Sequence, residues 1–433
     1  MHIRHSRIQH PVGQGFFHSG TISDGSLEFR YVYDCGAMPK YRQSRSDAIK
    51  SYRAGLGNPA SLDILFISHA HADHVNGLPQ LLKGTAVDTI MLPLLKVEDR
   101  IIAFARSAAV APASARDPFY RDFIADPAIA LARFRPRRIL FVRRASPGDG
   151  APGRDGDEIG PYDESGDQIG ERTRDKAGRL RWRLVGRGPA EDHRTVTHGA
   201  KRGSSTEVDT IPDSRAVAVD VSNQWGLWLL APYVDPGVVR DRHRFFKALA
   251  GEPGFDKRSL ADSKLLGEIL SDTKKVNILA GAYKAVQRDL NLTSLCLYSG
   301  PARNPQALQA NWHVYMAQGR WQWSANGFAR FAWLATGDAA LKDRGHVRNL
   351  TAHYRTHLGK VGTMTLPHHG SDNNLDDNLL GAVEPVHCVA SADRYSTWRH
   401  PGSRVMQIVA SRGIPMKLVT SSTVTELTEE IFA

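Results

Sequence analysis

The chain has 433 residues, of which 41% are hydrophobic, enough for a large buried core, so an intrinsically disordered chain is excluded. Its formal net charge of +11 favours a polyanionic partner such as nucleic acid, although many basic proteins have no such partner. No run of 18 apolar residues and no apolar leader occur, which predicts a cytoplasmic protein without membrane contact. Cys35, Cys296 and Cys388 are far apart, which predicts buried thiols in a reducing compartment rather than a disulfide framework.

The first third of the chain alternates strand and helix patterns. Residues 8–36 alternate like a β-meander, residues 43–58 have a helical or loop pattern, and residues 62–67 form the continuous apolar run of a buried strand. The elements predicted next are a helix, a strand, a helical region and a short strand, over 75–82, 89–95, 97–134 and 138–143.

Residues 145–212 differ from the rest in their density of Gly, Asp, Arg, Ser and Pro. This composition predicts a flexible segment with one strand near 180–185. Beside an active site it would be a lid or a substrate clamp; otherwise it is a surface insertion without a role. The later elements predicted are strands, helices and a return to the sheet, over 216–230, 241–289 and 291–298.

Four metal-capable side chains lie within six residues, directly after the apolar run 62–67; they are His69, His71, Asp73 and His74. His69 and His71 share a face if the strand geometry continues, and Asp73 and His74 can then face a second ion. Imidazole suits Zn²⁺, Fe, Mn²⁺ or Ni²⁺, and a carboxylate suits a harder position. The segment therefore predicts a metal site where the strand ends.

Further motifs accompany this segment, namely Val12-Gly13-Gln14-Gly15, Asp34-Cys35-Gly36, Thr336-Gly337-Asp338-Ala339, Pro367-His368-His369-Gly370-Ser371 and His400-Pro401. As a set they resemble the metallo-β-lactamase-fold hydrolases, and among these the nuclease-like domain of the DNA-uptake competence protein ComEC and its stand-alone soluble relatives. The resemblance covers residues 8–92 and 290–430 but not the middle, and the membrane channel of that protein is absent.

The resemblance implies an α/β fold, the metallo-β-lactamase αββα sandwich, as one domain over residues 1–433. It also implies a long insertion between the two halves of the sandwich, over residues 97–212, with helices and the flexible stretch 145–212. Two divalent metal ions are expected, Zn²⁺ in the first place and Mn²⁺ as the alternative.

The resemblance also assigns ligands. His69 and His71 would bind one ion, Asp73 and His74 the other, and Asp338 would bridge them. His368 would complete the second site, with His369 as the alternative ligand or as a catalytic group. Many members have a further histidine where this chain has Asn291 and Ser294. Without it the first ion would have fewer protein ligands and a more open coordination position, or one ion alone would bind. His313 is a fallback ligand, but it is far from the expected strand.

Supporting roles follow for several other residues. Asp34 would accept a hydrogen bond from a ligating histidine, or is a plain turn aspartate. Asn291 and Ser371 would support the ligands, Ser371 as a donor to phosphate. Asp73, His369 and His400 would be the catalytic residues. His400 would act as a general acid, or would instead be a structural histidine that caps the helix starting near Pro401.

The predicted activity is hydrolysis of phosphodiesters in DNA or RNA by a metal-activated hydroxide. Hydrolysis of a small molecule, such as a lactone, lactam, thioester or cyclic nucleotide, is the first alternative. A metal-stabilised effector subunit that needs a protein partner from a defence or DNA-processing system is the second. The basic rim formed by Lys40, Arg42 and Arg45 is either a nucleic-acid contact or a solvated face.

Overall fold

The computed structural model describes residues 3–146, 179–197, 205–221, 227–237, 239–286, 293–302, 310–316, 321–328, 330–395 and 398–432. Asn291 and much of the predicted flexible stretch, residues 147–178 and 198–204, lie outside the described residues. None of the helices in the described ranges is long and apolar enough to cross a membrane.

The strands of the described residues, in chain order, are β1 (Ile3–Gln9), β2 (Gly15–Asp24), β3 (Leu27–Ala37), β4 (Ser61–Phe66), β5 (Ala86–Pro93), β6 (Arg138–Arg143), β7 (Trp182–Gly186), β8 (Glu191–Thr197), β9 (Ser205–Pro212), β10 (Arg215–Asp220), β11 (Leu227–Asp235), β12 (Ser294–Pro301), β13 (Ala310–Met316), β14 (Trp321–Phe328), β15 (Ala332–Ala335), β16 (Val361–Thr365), β17 (His387–Ser391), β18 (Met416–Val419) and β19 (Leu427–Phe432).

These strands form two sheets. The first sheet has 11 strands in the order β14-β13-β19-β1-β2-β3-β4-β5-β6-β9-β8, and the second has eight in the order β18-β17-β16-β15-β12-β11-β10-β7. Strands β3 to β6 and β9 run parallel in the first sheet, as do β15 to β18 in the second. β1 pairs with β19, so the two ends of the chain meet in one sheet.

The helices are α1 (Arg42–Ala54), α2 (Ala72–Val75), α3 (Leu78–Leu82), α4 (Val97–Val110), α5 (Pro112–Ala115), α6 (Pro118–Ala125), α7 (Pro127–Ala132), α8 (Val239–Leu249), α9 (Lys257–Ala261), α10 (Ser263–Ser271), α11 (Thr273–Val286), α12 (Arg344–His353), α13 (Asp377–Val383) and α14 (Ser403–Ser411). Local sequence explains several starts. Asp117 caps α6 and Asp126 caps α7, and each of these helices begins with a proline, whose fixed φ suits the first helical position.

Three apolar clusters separate four layers. One cluster fills the space between the sheets and includes Tyr33, Phe66 and Trp228. A second packs the first sheet against helices of the first half and α8 to α11, and a third packs the second sheet against α12, α13 and α14. The structure is an αββα sandwich, which confirms the predicted fold class.

The described parts of the predicted insertion 97–212 belong to the layers of the sandwich. Helices α4 to α7 cover the first sheet, β6 and β9 pair within it, and β7 is the edge strand of the second sheet. The strand predicted over 138–143 coincides with β6. The three cysteines are buried and free in β3, β12 and β17, which confirms their predicted role as small buried apolar groups.

Candidate metal centre

The candidate centre lies where several strands of both sheets end. The metal-capable segment 68–74 directly follows β4, and His71 is the N-cap residue of the short helix α2. From the second sheet, Asp338 follows β15, and His368 and His369 follow β16. The Leu295 N–H donates to Ser68 O at 2.7 Å, which ties the two sheets together at this point. Chain order separates these residues widely, but the topology brings their strand ends to one place.

Asp338 is the centre of a first group of side chains. Its Oδ2 lies 3.2 Å from His69 Nε2 and 3.2 Å from His71 Nδ1, and those two nitrogens are 3.0 Å apart. His74 Nε2 is 3.6 Å from Asp338 Oδ1, and His368 Nε2 is 3.6 Å from Oδ2. One carboxylate thus faces four imidazoles, and ligand atoms of His69, His74 and Asp338 lie within 4.8 Å of one another.

Asp73, His74 and His369 form a second group whose ligand atoms also lie within 4.8 Å of one another. Asp73 Oδ2 is 3.5 Å from His369 Nε2. His74 belongs to both groups, so the two groups are neighbours around a shared imidazole. The arrangement offers two adjacent positions for divalent ions, each with imidazole and carboxylate ligands.

Hydrogen bonds behind the site orient three of the histidines. His74 Nδ1 lies 2.8 Å from Asp34 Oδ2, His369 Nδ1 lies 2.8 Å from the Ser391 carbonyl, and His69 Nδ1 lies 2.8 Å from Ser68 Oγ. Because an Nδ1–H donates to the acceptors behind His74 and His369, their Nε2 lone pairs face the site. Asp34 occupies the place predicted for it, and it also accepts from Ser68.

Several acceptor atoms at the centre are buried without a hydrogen-bond partner among the described residues. They are both carboxylate oxygens of Asp73, Oδ1 of Asp338, and Nε2 of His74 and His369. Leaving such groups unsatisfied costs about 1–3 kcal/mol each, more for charged ones. Carboxylate charges surrounded by imidazole nitrogens favour a cation at the centre, either a metal ion or, in the metal-free chain, the proton of His74, whose pKa is raised to about 9. The residues present therefore fit the divalent metals expected of the site.

At this site the charges of neighbouring side chains outweigh the effect of burial on the pKa values. Burial alone would lower the pKa of His74, but the charges of Asp34 and Asp338 raise it to about 9. Burial would raise the pKa of Asp73, but the neighbouring Arg106 guanidinium and His369 hold it well below its usual range. The pKa of Asp338 is likewise low despite burial, because His368, His69 and His74 surround it. The carboxylates are thus ionised and ready to accept a cation.

His368 and His369 point to different groups although they are adjacent in sequence. Both have left-handed backbone, φ +50° and +58°, an arrangement that costs of order 1–3 kcal/mol per residue. His368 lies against Asp338 and the His71 ring, with ring centroids 6.3 Å apart, whereas His369 lies beside Asp73 and 5.3 Å from the His74 ring. The sequence favoured His368 for the second position, and the geometry places His369 there.

Glycines and serines of the motifs make room for the ligands. A side chain at Gly36 would lie 2.5 Å from the Asp73 backbone, and one at Gly337, where φ is +50°, would lie 2.4 Å from Ser294 Oγ. Ser294 Oγ accepts from the Asp338 N–H, so it supports the loop that carries this carboxylate. These contacts explain the D-x-G and T-G-D motifs.

The motif Val12-Gly13-Gln14-Gly15 supports His369 indirectly, through Ser391. The Gly15 carbonyl accepts from Ser391 Oγ at 2.8 Å, and the Ser391 carbonyl faces His369 Nδ1. Ser371 is buried and its Oγ accepts from the Asn373 N–H, so it orders the turn after the histidine pair. Ser371 as a phosphate donor stays a prediction.

His400 lies beside the histidine pair, with its ring 6.0 Å from His368 and 6.5 Å from His369. The N-cap residue of α14 is Gly402, and the Val405 N–H in the first turn of this helix donates to Asp372 Oδ1 at 2.9 Å. Both interpretations of His400, as a general acid and as a structural histidine at this helix, stay predictions. His313 lies on β13 and contacts Ser324 and Phe432, in the strands β14, β13 and β19 at the far edge of the first sheet. It is in neither of the two metal-capable groups.

Two site neighbours were missed by the sequence analysis. Arg106 on α4 places Nη1 3.5 Å from Asp73 Oδ1, and the Tyr120 hydroxyl on α6 donates to the Ala70 carbonyl at 3.0 Å. Both lie in the helical region that the resemblance did not cover. A usable signal was present, because Arg106 interrupts the apolar buried stretch from Ile101 to Ala105 on α4.

Comparison with known protein families agrees with this geometry. Residues 28–157 match the model of the metallo-beta-lactamase superfamily. No curated protein matches the chain. The match covers the H-x-H-x-D-H segment, and the two-sheet αββα sandwich is the fold of metallo-beta-lactamase domains. The superfamily is one of metal-dependent hydrolases; the narrower likeness to competence-type nucleases stays a prediction.

Proposed function

We propose that this protein is a metal-dependent phosphodiesterase that cleaves DNA or RNA. The observation that carries the proposal is the pair of adjacent metal-capable groups, set among cationic side chains. Arg106 lies at the centre itself. Lys40, in the short 3-10 helix after β3, and Arg394 and Arg399, in the segment that also carries His400, are exposed. The net charge of +11 is consistent with a polyanionic substrate.

The distances support one assignment of the ligands. His69, His71 and Asp338 would hold the first ion, and Asp73, His74 and His369 the second, with the Asp338 carboxylate between the two positions. The histidine-rich donor set suits Zn²⁺, with Mn²⁺ as the alternative. Two such ions supply a hydroxide nucleophile at neutral pH and stabilise charge on the phosphoryl oxygens.

Protein groups complete the proposed reaction. His400 lies on the loop after β17, called here the His400 loop (residues 392–395 and 398–402), and it is partly exposed beside the histidine pair. From there its imidazole would donate a proton to the leaving oxygen. Lys40 Nζ donates to the Arg394 carbonyl, so the 3-10 helix after β3 and the His400 loop together would present cations to the flanking phosphates.

A cleavage assay tests the proposal. Labelled single- and double-stranded DNA and RNA are incubated with Zn²⁺, Mn²⁺ or Mg²⁺, beside an Asp73→Asn variant and a Lys40→Ala/Arg394→Ala/Arg399→Ala variant. We expect metal-dependent cleavage that Asp73→Asn abolishes, and a smaller loss in the triple variant that is greatest at low salt, where phosphate contacts contribute most to binding. Metal-loaded wild-type protein that cleaves none of the four substrates would refute the proposal.

One observation favours a second candidate, a small-molecule hydrolase. The proposed ligands are nearly inaccessible, from 0% exposed for His69 to 4% for His369, which suits a small substrate in a closed site. A lactone, thioester and cyclic-nucleotide panel, run with the same variants, separates the two. Turnover of a small molecule that is insensitive to salt and to the triple variant would favour this candidate over the nuclease.

A further inference from the structure

Arg106 has an unusual position for an arginine. It lies on α4, in the helical layer over the first sheet, and is 3% exposed. Its Nη1 is 3.5 Å from Asp73 Oδ1, and its guanidinium carbon is 4.9 Å from the centre of the Trp398 ring. A buried arginine between a carboxylate and an aromatic face is held from two sides, by charge and by stacking.

The two oxygens of Asp73 face different partners. Oδ2 faces His369 Nε2 at 3.5 Å, and Oδ1 faces Arg106 at 3.5 Å. The Asp73 backbone lies against Gly36, where a side chain would come within 2.5 Å of it. Neither oxygen has a hydrogen-bond partner among the described residues. Arg106 thus faces the Asp73 oxygen opposite to the one that faces His369.

We propose that Arg106 is a positioning residue, which holds the Asp73 carboxylate toward the second metal position while Trp398 holds the guanidinium in place. The inference rests on the proposed metal assignment of Asp73. By this proposal, Arg106 on α4 and Trp398 on the His400 loop affect the affinity for the second ion but not for the first. A planar guanidinium can stack on an aromatic ring while its N–H groups keep a fixed direction, whereas the donors of a lysine ammonium rotate freely, so we expect lysine to replace Arg106 only in part.

A second buried arginine provides a matched control. Arg7 also pairs with a buried carboxylate and also lies over a tryptophan, with its guanidinium carbon 5.9 Å from the Trp312 ring. Its bonds to Glu429 are 2.7 and 3.1 Å, and Thr363 also donates to Glu429. This pair is saturated and lies away from the candidate centre, so losing it affects folding without touching a metal ligand.

Metal titration of the full chain tests the proposal without any substrate. Apo-protein is titrated with Zn²⁺ against a chromophoric chelator, and the affinities of the first and second equivalents are measured for wild type, Arg106→Met, Arg106→Lys and Arg7→Met. We expect Arg106→Met to weaken the second equivalent by about 10–100-fold and to leave the first unchanged, with only partial rescue by Arg106→Lys. Arg7→Met should lower the melting temperature and leave both affinities unchanged.

The outcomes separate the inference from the proposed function. Two equivalents bound by Arg106→Met at wild-type affinity would overturn the positioning role, and so would an equal weakening in Arg7→Met. A wild type that binds two ions but cleaves no nucleic acid would refute the nuclease and leave the positioning role standing. Trp398→Leu, a change at a partly exposed residue, covers the case in which Arg106→Met does not fold. It should weaken the second equivalent selectively, and an unchanged affinity would overturn the proposal.

Discussion

Two buried clusters of charged side chains in this molecule differ in whether their carboxylates have hydrogen-bond partners. Between the sheets, Arg7 and Glu429 form a bidentate pair, to which Thr363 donates and beside which His387 lies 3.4 Å away. At the strand ends, Asp73 and Asp338 face imidazoles, and buried oxygens of both have no hydrogen-bond partner in the described part of the chain. We call the first the closed cluster, because hydrogen bonds within it pair the Glu429 carboxylate. We call the second the open cluster, because its carboxylate oxygens without hydrogen-bond partners among the described residues are suited to a bound cation.

The difference teaches how to separate structural from functional polar groups in a core. Burial of a charge does not decide the matter, since Glu429 and Asp73 are both almost inaccessible. Hydrogen bonding does decide it for these two carboxylates, because Glu429 accepts from Arg7 and Thr363, whereas neither oxygen of Asp73 has a hydrogen-bond partner among the described residues. The strain at the site agrees, since Asp34, His368 and His369 all have left-handed backbone. Four predictions test the comparison, from the largest expected effect to the smallest.

Breaking the closed cluster should cost the most stability. Arg7→Met leaves Glu429 buried without its cation, so we expect the free energy of unfolding to fall by about 3–5 kcal/mol. Urea denaturation monitored by tryptophan fluorescence measures this. Specific activity per folded molecule should stay at the wild-type level, and its loss would show that the two clusters are coupled.

Breaking the open cluster should cost activity instead. Asp338→Asn removes the charge that four imidazoles share, so we expect kcat/KM to fall by at least about 10²–10³-fold, equivalent to about 2.7–4 kcal/mol. In the metal-free state its free energy of unfolding should change less than that of Arg7→Met. Zinc should raise the melting temperature of the wild type alone; an equal rise in Asp338→Asn would contradict the assignment.

His5 and His18, buried histidines whose pKa values are affected by the Arg7 charge, should make the stability of the fold sensitive to acid. Burial first, and then the Arg7 charge, hold the pKa of His5 and His18 well below 6.5. The unfolded chain therefore binds protons below about pH 6.5 that the folded chain refuses, so stability falls as pH drops below that value, by about 1.4 kcal/mol for each unit of pKa difference.

Unfolding curves between pH 5 and 8 check this effect. His18→Phe is the matched variant, because it keeps the stacking on Trp333, whose ring centroid lies 3.8 Å away, and removes the titrating group. The variant should lose less stability than wild type between pH 6.5 and 5. An identical slope would show that His18 is protonated in the folded state.

The smallest effects should come from the exposed cations around the open cluster. Replacing Lys40, Arg394 or Arg399 singly with alanine should reduce the salt dependence of DNA binding by about one counterion each, and weaken binding to all sequences alike. Fluorescence anisotropy over a range of KCl concentrations measures the slope. Unchanged slopes in all three variants would place the nucleic-acid path elsewhere on the molecule.

The sequence by itself determined the local chemistry of the protein. An apolar strand followed by H-x-H-x-D-H, and apolar strands before Asp338 and His368, were enough to predict strand-end ligands, because strand period and termination are local properties. The fold class followed from the resemblance of the same motifs to those of the metallo-β-lactamase-fold hydrolases. Asp34 was also recognised from its place before Gly36, although its partner His74 lies 40 residues away.

Only the tertiary structure decided which side chains meet. It directed His369 rather than His368 to Asp73 through two left-handed residues, a backbone state that sequence pattern does not indicate for histidine. It also brought Arg106 to Asp73 and Trp398 from a helical region without a motif, and it integrated β6, β7 and β9 into the sheets. Such contacts depend on how separate elements pack, and packing is set by the whole core rather than by the spacing of residues along one element.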